Sequence, residues 1–244
     1  TFNRFKDTLF VDLYKEANPS ILIFTALLAL TALGHLFLWI AYEFTNGSFW
    51  IYSQIQIEKG LLFLPGTDGG YLEHFQYILL FWAFILSGLY SYKIKSFNVV
   101  PISFTYLFLF IGDSFSLHDL LIGEKLNQIF INLNFFSNQD FIRVKDIAEI
   151  SYWLSFLLIV FTISIIGFNR SNSIERNFLK MNYIFWVILS FFGIFIDLFN
   201  SNISRGKSIY YTLHTIEEFG EIVFILLICS WLFSKVSKLY EEKS

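Results

Sequence analysis

The chain has four histidines, His35, His74, His118 and His214, and each falls in a different one of its six longest apolar runs. Acids accompany them: Glu73, Asp113, Asp119, Glu217, Glu218 and Glu221. An ionisable group inside a membrane span costs about 3 kcal/mol or more, so each is a candidate for function. The sharpest pattern is His214-Thr-Ile-Glu217-Glu218-Phe-Gly-Glu221. Its helical spacing puts His214, Glu217, Glu218 and Glu221 on one face. Three carboxylates in a low-dielectric layer cannot all stay charged unaided; they share protons or hold a cation. Mixed imidazole and carboxylate ligands suit Zn²⁺, Fe²⁺ or Mn²⁺ rather than Cu(I). The plainer alternative is a polar helix face opening on water at the membrane surface.

The second constellation is Asp113-Ser-Phe-Ser-Leu-His118-Asp119. Ser114 and His118 share a helical face, whereas Asp113 and Asp119 point elsewhere. Aiming all of them at one atom requires a broken or tightened turn, which membrane proteins tolerate where backbone lines a polar cavity. Helix-end capping beside a solvated terminus is the competing reading. Glu73, His74 and Gln76 open another run, and a carboxylate such as Glu73 is stabilised at a helix N-terminus by the dipole. His74 joins the candidate metal ligands. His35 follows Gly34 with no acid in its own run and reads as a hydrogen-bonded core histidine. Glu149 and Asp197 fall at span ends and read as interfacial. Spacing offers no Ser-His-Asp triad, no phosphate-cradling glycine loop and no HxxxH pair.

The segment Phe110-Ile-Gly-Asp113-Ser-Phe-Ser-Leu-His118-Asp119, with Ile216-Glu217-Glu218-Phe-Gly-Glu221 downstream, resembles a family of uncharacterised six-span bacterial membrane proteins. That family carries an acid-acid-x-Phe-x-x-His-acid segment in a middle span and paired acids in the last. The resemblance covers spans two to six and implies no activity. A remoter likeness links Ser114, His118 and His214 to the alkaline ceramidase and progestin-receptor superfamily. Those are seven-span hydrolases that hold zinc with a Ser spaced before a His, an Asp and further histidines.

The elements that must position these groups follow from composition. Of 244 residues, 55% are hydrophobic and 15% charged, against about 25% charged in a soluble domain. Such a chain suits a polytopic membrane protein. The net charge of −3 lacks the basic face that nucleic acid requires. The single cysteine, Cys229, lies in an apolar run and reads as an inert buried thiol.

A span needs about 20 apolar residues, and the sequence predicts six of them, over 20–42, 71–92, 99–122, 148–168, 181–200 and 208–233. Residues 1–19 mix charge of both signs with Phe2, Phe5, Leu9 and Leu13 and predict an amphipathic interfacial helix rather than a cleaved leader. Residues 20–233 then form one six-helix domain, and 234–244 a charged tail. Eleven of the basic residues fall on the side holding both termini and six on the other. The asymmetry predicts both termini in the cytoplasm, in a bacterial-type inner membrane. With the spans alternating, all the acids and histidines named above land in the outer half. The outer loops, 43–70 and 123–147, are too apolar to be free in water and are expected to lie on the bilayer or cap the polar cluster.

The expectation is therefore an all-α membrane protein with a metal site in its outer half, acting as a hydrolase or oxidase on a lipid-like substrate. His118, His214, Glu218 and Glu221, with His74, are the candidate metal ligands; Asp113 and Glu217 are the candidate catalytic base or ligand-orienting groups. A zinc ion there would supply an activated water. Two alternatives remain beside it: a non-catalytic subunit of a larger membrane complex, suggested by the aromatic content of 21%, and a proton- or cation-coupled transporter. Against the transporter stands the scarcity of polar residues in the inner halves of the spans.

Overall fold

The computed structural model describes residues 71–115, 117, 122–133, 144–201 and 208–241, together with the helical positions Ala26 and Leu30. Among them every regular element is helical: α1 (Tyr71–Ile94), α2 (Val100–Ser114), α3 (Ile122–Asn132), α4 (Val144–Arg170), α5 (Ser173–Ser190), a π-helical segment (Phe191–Ile196), α6 (Asp197–Ser201) and α7 (Ser208–Glu241). The expected span 20–42, the amphipathic segment 1–19 and the loop 43–70 lie outside the described residues apart from Ala26 and Leu30.

Among the described residues four helices are long and apolar enough to cross a membrane: Glu73–Ile94, Ile147–Arg170, Ser173–Asn200 and Ile216–Glu241. The described part of the chain is thus all-helical, with the length and composition of a multi-pass membrane protein. The run 99–122 does not form one long helix. Its regular part, α2, has 15 residues and ends at Ser114, where the Phe115 amide turns back to the carbonyl of Ile111 at 3.1 Å. His118 and Asp119, beyond this end, lie outside the described residues.

Three further boundaries differ from the sequence reading. The helix expected from 181 begins at Ser173, because Asn172 caps it: its side chain accepts from the Glu175 amide at 3.0 Å, and the Glu175 side chain reaches back to the Asn172 amide at 3.2 Å. This reciprocal pair satisfies two orphan donors of a first turn. The last helix does not stop at 233 but runs to Glu241. Part of the outer loop forms α3, an amphipathic helix of 11 residues packed on α4, as a loop lying on apolar surface requires.

The chain divides into two compact units, residues 1–95 with 222–244 and residues 96–221. In the first, α1 buries Leu79, Leu80, Ala83, Leu86 and Tyr90, and α7 buries Ile222, Ile225, Cys229, Leu232 and Val236. Both sets recur every three or four residues, one helical face each. The Cys229 thiol donates to the Leu79 carbonyl at 3.1 Å, and the Lys93 ammonium lies 3.7 Å from the Tyr240 ring centre. The paired positions increase together, so the two helices run parallel.

In the second unit, α2 and α5 are parallel by the same logic. Asn98 meets Glu175 at 3.2 Å, and the Tyr106 hydroxyl donates to Asn182 Oδ1 at 2.7 Å. Helix α4 runs against both. The rings of Phe108 and Phe156 stack at 3.6 Å, and the Tyr183 hydroxyl donates to the Ser164 carbonyl at 3.1 Å. Around these contacts α4 buries only a narrow stripe through Ala148, Tyr152, Val160 and Ser164, while Leu154, Leu158, Ile159, Phe161 and Ile166 are exposed. That broad apolar surface suits lipid rather than water.

Candidate functional site

The helix directions sort the second unit into two polar ends. At one end the turns 95–99 and 171–172 meet. Glu175 is 8% exposed and accepts from Asn172 Nδ2 at 3.1 Å and from Asn98 Nδ2 at 3.2 Å. Asn98 also reaches the Arg170 carbonyl at 3.5 Å. A fully hydrogen-bonded buried carboxylate of this kind is a fastener between two turns. Glu175 falls between the expected spans 148–168 and 181–200, and Asn172-x-x-Glu175 is the sequence signal that places it at a helix start.

The other end holds the candidate chemistry. Asp113 is half-buried in the last turn of α2. Opposite it on α4 is Tyr152, on whose hydroxyl the Asp113 charge acts. Between them Gly112 lets the helices close: a methyl group at Gly112 would lie 3.2 Å from the Trp153 ring and 3.6 Å from Tyr152 Oη. One turn further out, Glu149 pairs with Lys145 at 3.4 Å, an exposed contact worth a few tenths of a kcal/mol at most and consistent with an interfacial position.

Glu217, Glu218 and Glu221 lie half-buried on α7, which is one uninterrupted helix from Ser208 to Glu241, so their shared face is as the spacing predicts. The Glu221 carboxylate rests against Gly193, and Gly220 against the ring of Phe192. Both partners belong to the π-helical segment Phe191–Ile196. A π turn carries one residue more than an α turn and recurs at functional sites. Here it offers a position without a side chain to an acid on the neighbouring helix. Nothing in the apolar run Phe-Phe-Gly-Ile-Phe-Ile announces it in sequence.

The remaining expected residues are placed unevenly. His74 is exposed on α1 in the first unit, its ring 5.7 Å from that of Tyr77, whose hydroxyl donates to Glu73. His35, His118 and Asp119 lie outside the described residues, and so do the side chains of His214 and Asp197. Among the described residues no three His, Cys, Asp or Glu side chains come together as a metal site.

Sequence reasoning also missed the middle of the second unit. Asn182 is wholly buried, accepts from Tyr106 and donates from Nδ2 to the Phe178 carbonyl at 2.9 Å. With α5 beginning at Ser173, Asn182 lies inside the helix instead of at its mouth. Its carbonyl and amide are both occupied, so it reads as interhelical glue rather than a relay. No protein-family model, no curated protein and no solved structure matches this chain.

Proposed function

We propose that the chain is a six-span integral membrane protein, both termini cytoplasmic, with a metal-dependent catalytic centre in its outer half acting on a lipid-like substrate. The ligands are His118, His214, Glu218 and Glu221. Asp113 or Glu217 takes the proton of the reacting group or orients a ligand. His74 is the further candidate ligand. The observation that supports this reading is the setting of Glu221. Its carboxylate rests against Gly193 of the neighbouring apolar helix, on the same helix face as Glu217 and Glu218. Three carboxylates on one face of an apolar helix suit a divalent ion. Zn²⁺, Fe²⁺ and Mn²⁺ all suit such ligands; the ion would polarise the scissile bond or activate water.

A conducting role is less well supported. The buried polar pair Tyr106–Asn182 that lies between the two polar ends has its donors and acceptors occupied by each other and by backbone. The deciding experiment is elemental analysis of protein purified in mild detergent without chelators, wild type beside His118→Ala and Glu218→Ala. Near-stoichiometric metal lost in both variants is expected. A metal-free wild type, or variants that keep the metal, would overturn the reading.

A further inference from the structure

Tyr152 is 7% exposed, yet its hydroxyl is sealed from solvent without a hydrogen-bond partner among the described residues. Its ring is held firmly: Phe108 stacks on it at 5.8 Å and Trp153 meets it edge-on at 5.1 Å. The hydroxyl therefore cannot swing away to find water. It is aimed at the last turn of α2, beside Gly112 and within electrostatic reach of Asp113. On that same turn the Ser114 hydroxyl is also shut off from solvent with no partner among the described residues. Buried polar groups are almost always satisfied, and an orphan in a native protein calls for a partner such as a bound molecule or an ordered water, or for a catalytic role.

We propose that Tyr152 and Asp113 form the binding site for the uncharged polar head of an amphiphile, a hydroxyl or an amide group. The phenol donates to the oxygen of such a head, and the carboxylate accepts its proton-bearing side. An anionic head is disfavoured by the Asp113 charge. An ester lacks the donor. The head can be reached from the side of Asp113, which is only half-buried, and exposed apolar surface for the body lies close by at Phe115, just beyond the end of α2. Tyr152 is thus a positioning residue for a membrane-borne ligand. The inference deepens the reading given under Proposed function by naming the substrate class of that end of the unit.

The test uses purified full-length protein in nanodiscs and two tritiated probes of equal chain length, a monoacylglycerol and a primary fatty amide, with the fatty acid methyl ester as control. Saturable binding of at least one probe and none of the ester is expected; whichever probe binds identifies the head. Tyr152→Phe should weaken that binding about tenfold, the loss of one hydrogen bond. The variant should melt no lower than wild type, because the hydroxyl it removes has no partner among the described residues. Absent binding of both probes, unchanged affinity in Tyr152→Phe, or a lower melting temperature in that variant would each overturn the proposal. Metal content measured on the same samples separates the two readings. A wild type that holds metal while Tyr152→Phe binds the probe unchanged sinks this site alone. Probe binding that depends on Tyr152 in a metal-free protein leaves the site standing and removes the metal centre.

Discussion

The Glu221 carboxylate occupies space that a side chain at Gly193 would need. The clash is with the far end of a flexible side chain, not with backbone, so the structure can yield by moving the acid. Gly193→Ala is therefore expected to fold with a stability loss of about 1 kcal/mol or less, yet to displace Glu221 from its notch. On the metal reading, bound metal falls several-fold in a protein that still folds. Adding Glu221→Ala should remove the stability cost of Gly193→Ala, since residues in direct contact are non-additive. Thermal unfolding and metal analysis of the two single variants and the double variant check this. Additive stability effects would show that the two positions do not touch.

Gly167 presents the opposite case. A Cβ there would meet the Asn98 carbonyl oxygen, a backbone atom, at 2.8 Å. That oxygen sits in the turn fastened by Glu175 and cannot swing aside. Gly167→Ala is expected to destabilise by about 1–3 kcal/mol, the usual cost of overpacking. Glu175→Ala should cost a similar amount by removing the capping box and releasing Asn98. Neither change lies near the acid end, so both variants should bind metal or probe as wild type does once folded. Melting curves set beside binding curves separate these structural effects from functional ones.

How much of this was legible beforehand differs by residue. The apolar runs marked the long helices, and alternation of direction anticipated the parallel pairs α1 with α7 and α2 with α5. The helical spacing of Glu217, Glu218 and Glu221 also held, because spacing within one helix is a local property. Three features needed tertiary information. The π turn at Phe191–Ile196 has meaning only once Glu221 and Gly220 approach it. The early start of α5 depends on a carboxylate that hydropathy assigns to a loop, although its capping partner sits three residues before it. Tyr152 looks like any aromatic in an apolar run until Gly112 lets α4 come close enough to strand its hydroxyl.

The Tyr106–Asn182 pair yields a stability prediction of a different kind. Tyr106→Phe leaves Asn182 Oδ1 buried with no substitute in sight, at a cost of about 1–3 kcal/mol. Interhelical hydrogen bonds in membranes couple by only about 0.6 kcal/mol on average, with about 1.7 kcal/mol as the observed upper range. Complete burial of Asn182 and its second bond to the Phe178 carbonyl place this pair toward the upper figure. A double-mutant cycle of Tyr106→Phe and Asn182→Ala, read by reversible unfolding in mixed micelles, measures the coupling directly. A value near zero would mean that the two side chains are satisfied separately.

The directions of the helices make the orientation of the chain testable with little background. Cys229 is 1% exposed and its thiol is engaged with the Leu79 carbonyl, so native protein should resist maleimide until it is unfolded. New cysteines then report alone. Phe97 and Ser173, both exposed, lie by the turns that join α1 to α2 and α4 to α5. Lys125 is exposed on α3, beyond the opposite end of α2. If the excess of basic residues sets the orientation, an impermeant maleimide added to intact cells should label Lys125→Cys and spare Phe97→Cys and Ser173→Cys. Inside-out vesicles should give the reverse. A swapped pattern would place both termini outside while leaving the helix order intact. Labelling of all three positions from one side would break the alternation on which the shared depth of Asp113, Glu217, Glu218 and Glu221 rests.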